Sequence, residues 1–215
     1  MEVKKVTLKT GRFYAVGENK YPSITTVLSA TADHTALNEW RKRVGADEAD
    51  RITAESTKIG TAMHACFENF LQGKELPEAI SEEQKTGRAM FNAGKLQIQR
   101  YVKEVIAQET IVWSDVLKVA GQFDLLCKNN KGELVLVDFK SAKKRKPREW
   151  IDNYRLQTAF YRQCIKERMR LEIDYAALFF VTRDFEAYWE RFNNEETKFN
   201  ELVDARMKFA ELKGY

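Results

Sequence analysis

Residues 134–140 read Leu-Val-Leu-Val-Asp-Phe-Lys, an aliphatic and aromatic run that marks a β-strand. Side chains alternate across a strand. Leu134 and Leu136 therefore share one face with Asp138 and Lys140, and Val135, Val137 and Phe139 occupy the other. Both faces are apolar before the charges begin. Such a strand has to be covered on both sides, which places it in the middle of a sheet with helices above and below. A carboxylate at its end costs several kcal/mol if it is desolvated without a partner.

A second run, KVAGQFDLLCK over residues 118–128, repeats the pattern, with Asp124 interrupting a segment otherwise fit for a core. Asn129-Asn130-Lys131-Gly132 joins the two runs, and Asn and Gly tolerate the positive φ of a hairpin turn. Asp124 lies eight residues before the end of that turn and Asp138 six after it, so pairing brings both carboxylates to one end of the hairpin. Two carboxylates held together repel unless a proton or a cation sits between them. Oxygen ligands are what Mg²⁺ requires. Lys140, one pleat from Asp138, is placed to hold a water that attacks phosphorus. The alternative is an ion pair of Lys140 with Asp138 or Asp124 that serves the fold alone, although buried pairs often gain nothing over apolar packing.

The remaining chain supplies the covering layers. Residues 1–31, including YPSITTVLSAT, read as short strands and turns. From Ala36 to about Leu71 the pattern is helical, clearest in KIGTAMHACFENFL, where Ile59, Met63, Cys66, Phe67 and Phe70 recur at helical spacing. Residues 82–107 read as one long helix, and ETIVWSD after it as a strand. WIDNYRLQTAFYRQCIKER reads as a helix, DYAALFFVTR as a strand with AYWERF as its hairpin partner, and 195–215 as a charged helix. The order predicts a single α/β domain over 1–215, a mixed sheet flanked by helices. Its parts are a helical region at about 36–107 carrying His64, a sheet core at about 109–192, and the carboxy-terminal helix.

The three cysteines, Cys66, Cys127 and Cys164, are odd in number and scattered, which fits reduced core thiols and excludes both a disulfide framework and a zinc spacing. There is no secretory h-region and no apolar run of membrane-spanning length, so the expectation is a cytoplasmic protein of a bacterial or phage-infected cell. Net charge is only +4, but residues 140–148 hold six Lys or Arg in nine positions, a density that seeks a polyanion or water.

These residues resemble a known family. Gly121-Gln-Phe-Asp124, a hairpin, and Val137-Asp-Phe-Lys140 resemble the PD-(D/E)xK nuclease superfamily, and more narrowly its RecB-like branch. Two further signatures stand in the expected order: Gly60-Thr-Ala-Met-His64 running on to Glu68, and Gln157-Thr-Ala-Phe-Tyr161. Together with Tyr21-Pro-Ser-Ile-Thr-Thr-Val-Leu28, they are similar to the mitochondrial genome maintenance exonuclease group and its phage and bacterial relatives, over roughly residues 21–183. The resemblance implies a restriction-endonuclease-like fold. It also implies one or two Mg²⁺ or Mn²⁺ ions held by His64, Asp124, Asp138 and the backbone carbonyl of Phe139. Asp124, Asp138, Lys140 and Gln157 would be catalytic, with Glu68 and Tyr161 as further candidates. Many superfamily members carry Glu where this chain has Asp138. The cysteine cluster of iron–sulfur relatives is missing, so no such cluster is expected.

Glu109, ahead of a strand-like run, is another acidic candidate. Lys143, Lys144, Arg145, Lys146 and Arg148, with Arg155, are expected to contact DNA backbone, and Trp150 beside them is the best placed aromatic for base stacking. The implied activity is a DNA exonuclease favouring single-stranded ends, in replication, recombination or repair, with a replication or recombination protein as a possible partner and no membrane. The rivals are an exonuclease that processes duplex ends and a non-catalytic nuclease-fold subunit. A P-loop or dinucleotide-binding protein is excluded, since neither glycine signature is present.

Overall fold

The structure is a computed structural model describing residues 3–8, 11–192 and 196–213. Three short antiparallel strands come first: β1 (Val3–Leu8), β2 (Gly11–Val16) and β3 (Asn19–Pro22). Four helices follow: α1 (Ile24–Thr31), α2 (Thr35–Val44), α3 (Ala46–Leu71) and α4 (Glu82–Tyr101). Then come β4 (Val102–Ser114), β5 (Val119–Asn129), β6 (Leu134–Ala142), a 3₁₀ turn at Arg148–Ile151, α5 (Asp152–Met169), β7 (Tyr175–Thr182), β8 (Ala187–Phe192) and α6 (Glu196–Lys213). Strands β4 to β8 form one mixed sheet in chain order, parallel only between β6 and β7. That parallel step needs a crossover, which α5 provides.

The central placement of β6 follows from its two apolar faces. Val135, Val137 and Phe139 pack with Met63, Phe67, Met90 and Phe91 of α3 and α4. Leu136, on the opposite face, packs in a cluster with Phe160 and Ile165 of α5 and Leu202 and Phe209 of α6. Helices therefore cover both sides of the sheet, as the sequence predicts. The hairpin turn also forms where expected, with Gly132 at φ +82° and Asn129 hydrogen bonded to Glu133.

Three expectations are corrected. Residues 24–31 are helical, not extended: Ser23 caps α1 by accepting the Thr26 N–H, and Ile24, Val27 and Leu28 bury one helical face. The cap and the tertiary contact outweigh the strand preference of the β-branched residues Ile24, Thr25, Thr26 and Val27. The long helix over 82–107 ends at Tyr101, and 102–107 belong to β4. There the Tyr101 ring stacks on Trp189, its hydroxyl meets Tyr175 at 2.6 Å, and Val102 pairs with Asn129, so cross-sheet contacts override the helical spacing of Val102 and Val105. The helical part is accordingly 24–101 and the sheet core 102–192. The carboxy-terminal helix is described over 196–213, and residues 195, 214 and 215 lie outside the described residues.

Gly87 and Gly94 do not break α4. They let it lie against its neighbours. A Cβ on Gly87 would stand 2.7 Å from the Ile59 carbonyl oxygen and 2.9 Å from the Met63 nitrogen, both backbone atoms of α3. Gly87→Ala is expected to push α3 away and lower stability by about 1–3 kcal/mol, read from urea denaturation. Asn92→Ala on the exposed face of the same helix should leave the midpoint unchanged.

Candidate active site

The site forms where the regular ladders of the large sheet fail together. Strands β5 and β6 pair up to Leu125–Val137, and one step further Asp124 would face Asp138. The pairing stops there. The Asp124 carboxylate takes the Phe139 N–H at 2.7 Å in place of a backbone carbonyl. On the other side of β5, Gln108–Leu125 and Thr110–Phe123 flank the position where Glu109 would face Asp124. Glu109 has φ +44°, an uncommon left-handed conformation for a non-glycine residue. The Gln122 side-chain amide holds it there, donating to both its carbonyl and its carboxylate at 2.9 Å. Three neighbouring strands thus present Glu109, Asp124 and Asp138 at one level.

Helix α3 brings His64 to this row from one face of the sheet. Its Nδ1 lies 3.5 Å from Asp124 Oδ2. Stacking of Phe67 on Phe139, with centroids 4.6 Å apart, sets the depth of α3 one turn from His64. Ligand atoms of His64, Glu109 and Asp124 all lie within 4.8 Å of one another. From the other face α5 brings Gln157 and Tyr161. Lys140 Nζ stands 2.5 Å from Asp138 Oδ2 and donates to Gln157 Oε1 at 2.9 Å. The Gln157 amide in turn donates to the Tyr161 hydroxyl at 3.1 Å. The i, i+4 spacing of the Gln157–Tyr161 motif is what lines these two up.

Charge and burial act strongly here. Burial, reinforced by Asp124, pushes the Glu109 carboxyl up to about 7. Burial pushes Asp138 up to about 6 against the opposing pull of Lys140. For Asp124 burial works upward, but the charge of His64 and its contact win, and its pKa falls. His64 rises because Asp124 outweighs the effect of burial. Lys140 rises against burial because both aspartates face it, so it is an ammonium at neutral pH. Asp138 Oδ2, moreover, is buried without a well-aligned hydrogen bond. A crowded set of carboxylate oxygens with one imidazole is a hard-cation donor set, and the residues fit a divalent metal.

A cleft of about 390 Å³ opens over the row, walled by α3 on one side and by the small amino-terminal sheet and the start of α1 on the other. Of the sequence candidates, His64, Glu68, Glu109, Asp124, Asp138, Lys140, Gln157 and Tyr161 all line it. Glu68 is also held by the Gln72 amide at 3.2 Å. The basic loop is not among the lining residues. Arg145 pairs with Glu186 at 2.6 Å and stacks on Tyr188, Lys146 donates to Tyr154, and Arg155 pairs with Asp152. Lys143, Lys144 and Arg148 are exposed, as is Trp150. Two cations that charge density did not single out, Lys5 and Arg12, line the cleft instead. No local sequence signal marks them, because the folding of the amino-terminal sheet against β5 is what brings them in.

The sequence model of the PD-(D/E)XK nuclease superfamily matches residues 34–213. The chain belongs to that superfamily. No curated protein matches the sequence. Among solved structures, SSO0001 is 13% identical, with a TM-score of 0.51 over 92% of this chain and 78% of that one, which shows a shared fold. A Eubacterium rectale protein described as an exonuclease is 10% identical over 71% of this chain and 65% of that chain, at TM-score 0.49. LHK-Exo, solved with dAMP, is 14% identical over 74% of this chain and 87% of that chain, at TM-score 0.34. The mixed sheet and flanking helices are those of that superfamily's fold.

The raised carboxyls make a pH prediction. A carboxyl whose folded pKa exceeds its unfolded value of about 4 stabilises the fold below that value, and the contribution is lost as pH rises through the folded pKa. Glu109 and Asp138, at about 7 and about 6, act in that sense, and so does His64. Asp124, lowered, contributes stability that is lost only at more acid pH. Protein in chelator should therefore melt lower at about pH 8 than at about pH 5.5, and millimolar Mg²⁺ should narrow the difference. Scanning calorimetry with and without the cation measures this. A difference unchanged by Glu109→Gln combined with Asp138→Asn would overturn the assignment.

Proposed function

We propose that the chain is a Mg²⁺- or Mn²⁺-dependent deoxyribonuclease that works as an exonuclease on single-stranded ends. The observation that carries this reading is the charged Lys140 ammonium, fixed between Asp138 and Gln157 and facing a carboxylate–imidazole cluster across one cleft. His64, Asp124 and Asp138, with the Phe139 carbonyl, would hold the metal, and Glu109 joins them by its position. When bound, the cation supplies counter-charge to the scissile phosphate and to the oxygens that attack and leave.

The chain's own groups do the rest. Lys140 cannot act as a base while charged. It donates, holding the attacking water and offsetting charge as the pentacovalent state forms. Asp138 keeps Lys140 protonated and fixes its Nζ. Tyr161 accepts from the Gln157 amide nitrogen, which leaves Gln157 Oε1 turned toward Lys140. Burial of Asp138, Gln157 and Tyr161 removes competing water from that contact. The two-walled cleft suits one strand better than a duplex, in agreement with the RecB-like resemblance.

Cleavage assays test the reading. With Mg²⁺ or Mn²⁺, linear single-stranded DNA should be degraded, linear duplex more slowly, and circular single strands not at all. Lys140→Ala and Asp124→Asn should each lower the rate by roughly 100-fold or more. Gln157→Ala should lower kcat with little change in KM. Full activity in Lys140→Ala would refute the catalytic assignment, and cutting of circles would refute the exonuclease.

A further inference from the structure

We infer that Lys5 and Arg12, on the amino-terminal sheet, form a phosphate-binding subsite in the catalytic cleft that takes a DNA backbone phosphate next to the scissile one. This rests on the nuclease reading of the cleft and deepens it by naming what the second wall holds. Both residues precede residue 34, where the match to the superfamily begins, and they are carried by β1 and β2.

The cleft lining carries both signs of charge: Glu109, Asp124 and Asp138 line it together with Lys5 and Arg12 of the amino-terminal sheet. Lys140, which also lines the cleft, is committed to Asp138, and His64 faces Asp124. Among the described residues neither Lys5 nor Arg12 makes an ion pair, whereas Arg145 and Arg155 are both neutralised by carboxylates. Burial and the charge of Arg12 lower the Lys5 pKa against the opposing pull of Glu109, so Lys5 stands within reach of both groups. Two cations lining one cleft, neither fixed in an ion pair among the described residues, invite an anion between them.

Their mounting is rigid. The Arg12 backbone is held at both ends: its N–H donates to Thr26 Oγ1 at 3.0 Å, and its carbonyl accepts from Ser23 N at 2.8 Å and from the Thr26 hydroxyl at 3.1 Å. Gly11, at φ +131°, makes room for Thr26, since a Cβ there would lie 2.5 Å from Thr26 Cγ2. Tyr14, Val16 and Tyr21 pack on Ala120, and Ser23 bridges to Ala120 in β5, four residues before Asp124. Gly121 completes the junction, because a Cβ there would meet Tyr161 at 2.6 Å and Ile24 at 3.2 Å. The root of Arg12 is therefore fixed to the strand that carries Asp124. The basic loop after β6 lies outside the cleft lining, with Arg145 engaged by Glu186 and Tyr188 and Lys146 by Tyr154 and Tyr188. A phosphate gripped by a forked guanidinium and an ammonium would set the register of the strand over the reacting centre.

The test compares Lys140→Ala protein, which holds DNA without cutting it, with the same protein carrying Lys5→Gln and Arg12→Gln. Anisotropy of a labelled single-stranded oligonucleotide in Mg²⁺, over a salt series, reads affinity and its salt slope. The glutamine pair should bind several-fold more weakly, and the slope should flatten by about 0.7, the value for one phosphate on a single strand. The exchanged pair Lys5→Arg with Arg12→Lys should recover most of the affinity. In the cutting-competent protein the glutamine pair should raise KM more than it lowers kcat. Oligonucleotides with 5′-phosphate and 5′-hydroxyl ends separate the two sources of the anion. Equal loss on both assigns an internal phosphate, and loss on the phosphorylated end alone assigns a terminal one. Unchanged affinity and slope in a glutamine pair that melts like its parent would overturn the subsite and leave the nuclease reading intact. A parent protein that neither binds nor cuts DNA would end both. Should the pair melt early, Lys5→Gln and Arg12→Gln singly, both at exposed side chains, are read by the same slopes.

Discussion

Like charges at short range in a poorly hydrated setting repel strongly, and this chain places three carboxylates at one level of one sheet. Glu109, Asp124 and Asp138 sit on successive strands where the hydrogen-bonded ladders would have put them face to face. The local irregularities of the sheet answer that repulsion. The ladder between β5 and β6 opens so that Asp124 can accept a backbone N–H. Glu109 adopts a left-handed backbone pinned by Gln122. Lys140 folds back onto Asp138, and His64 arrives from above to neutralise Asp124. Residual crowding remains in the raised carboxyls, and a bound divalent cation would remove it. Strain of this kind, held in place by a well-packed surround, is a common mark of a functional site.

The two helical layers hold these groups apart as well as together. On one face, Phe67 and Phe139 stack and fix α3 with its histidine. On the other, Phe160 and Ile165 anchor α5, whose Gln157 and Tyr161 reach the same point from the opposite side. The acids come from the sheet, the imidazole from one layer and the amide relay from the other, so the site is the place where three layers meet. Glycines permit the close approaches: Gly87 between α3 and α4, Gly94 under Phe179, and Gly121 beneath Tyr161.

Much of this was legible in the sequence because side-chain alternation is a local rule. The two apolar faces around Val135 and Leu136 placed β6 centrally, and the turn residues Asn129–Gly132 set the level of Asp124 against Asp138. The motif spacings single out His64, Gln157 and Tyr161, which the structure places along one cleft. What escaped was decided by contacts distant in the chain. The end of α4 at Tyr101 depends on Trp189 and Tyr175, which lie far along the sequence. The helix at 24–31 depends on a cap and on burial against the α5 and α6 layer, not on the strand preference of its β-branched residues. Glu109 gained importance only through a left-handed backbone, at φ +44°, that no pattern announces. The cations of the cleft wall came from β1 and β2, while the conspicuous run at 143–148 is partly satisfied by Glu186 and Tyr154.

The account stands or falls on whether the carboxylate row with His64 is a cation site. Anomalous diffraction from crystals soaked in Mn²⁺ tests this directly. The account predicts a manganese peak within about 2.0–2.3 Å of ligand atoms of His64, Asp124 and Glu109. An absence of manganese there at millimolar concentration, with the three side chains turned to separate protein partners, would contradict it.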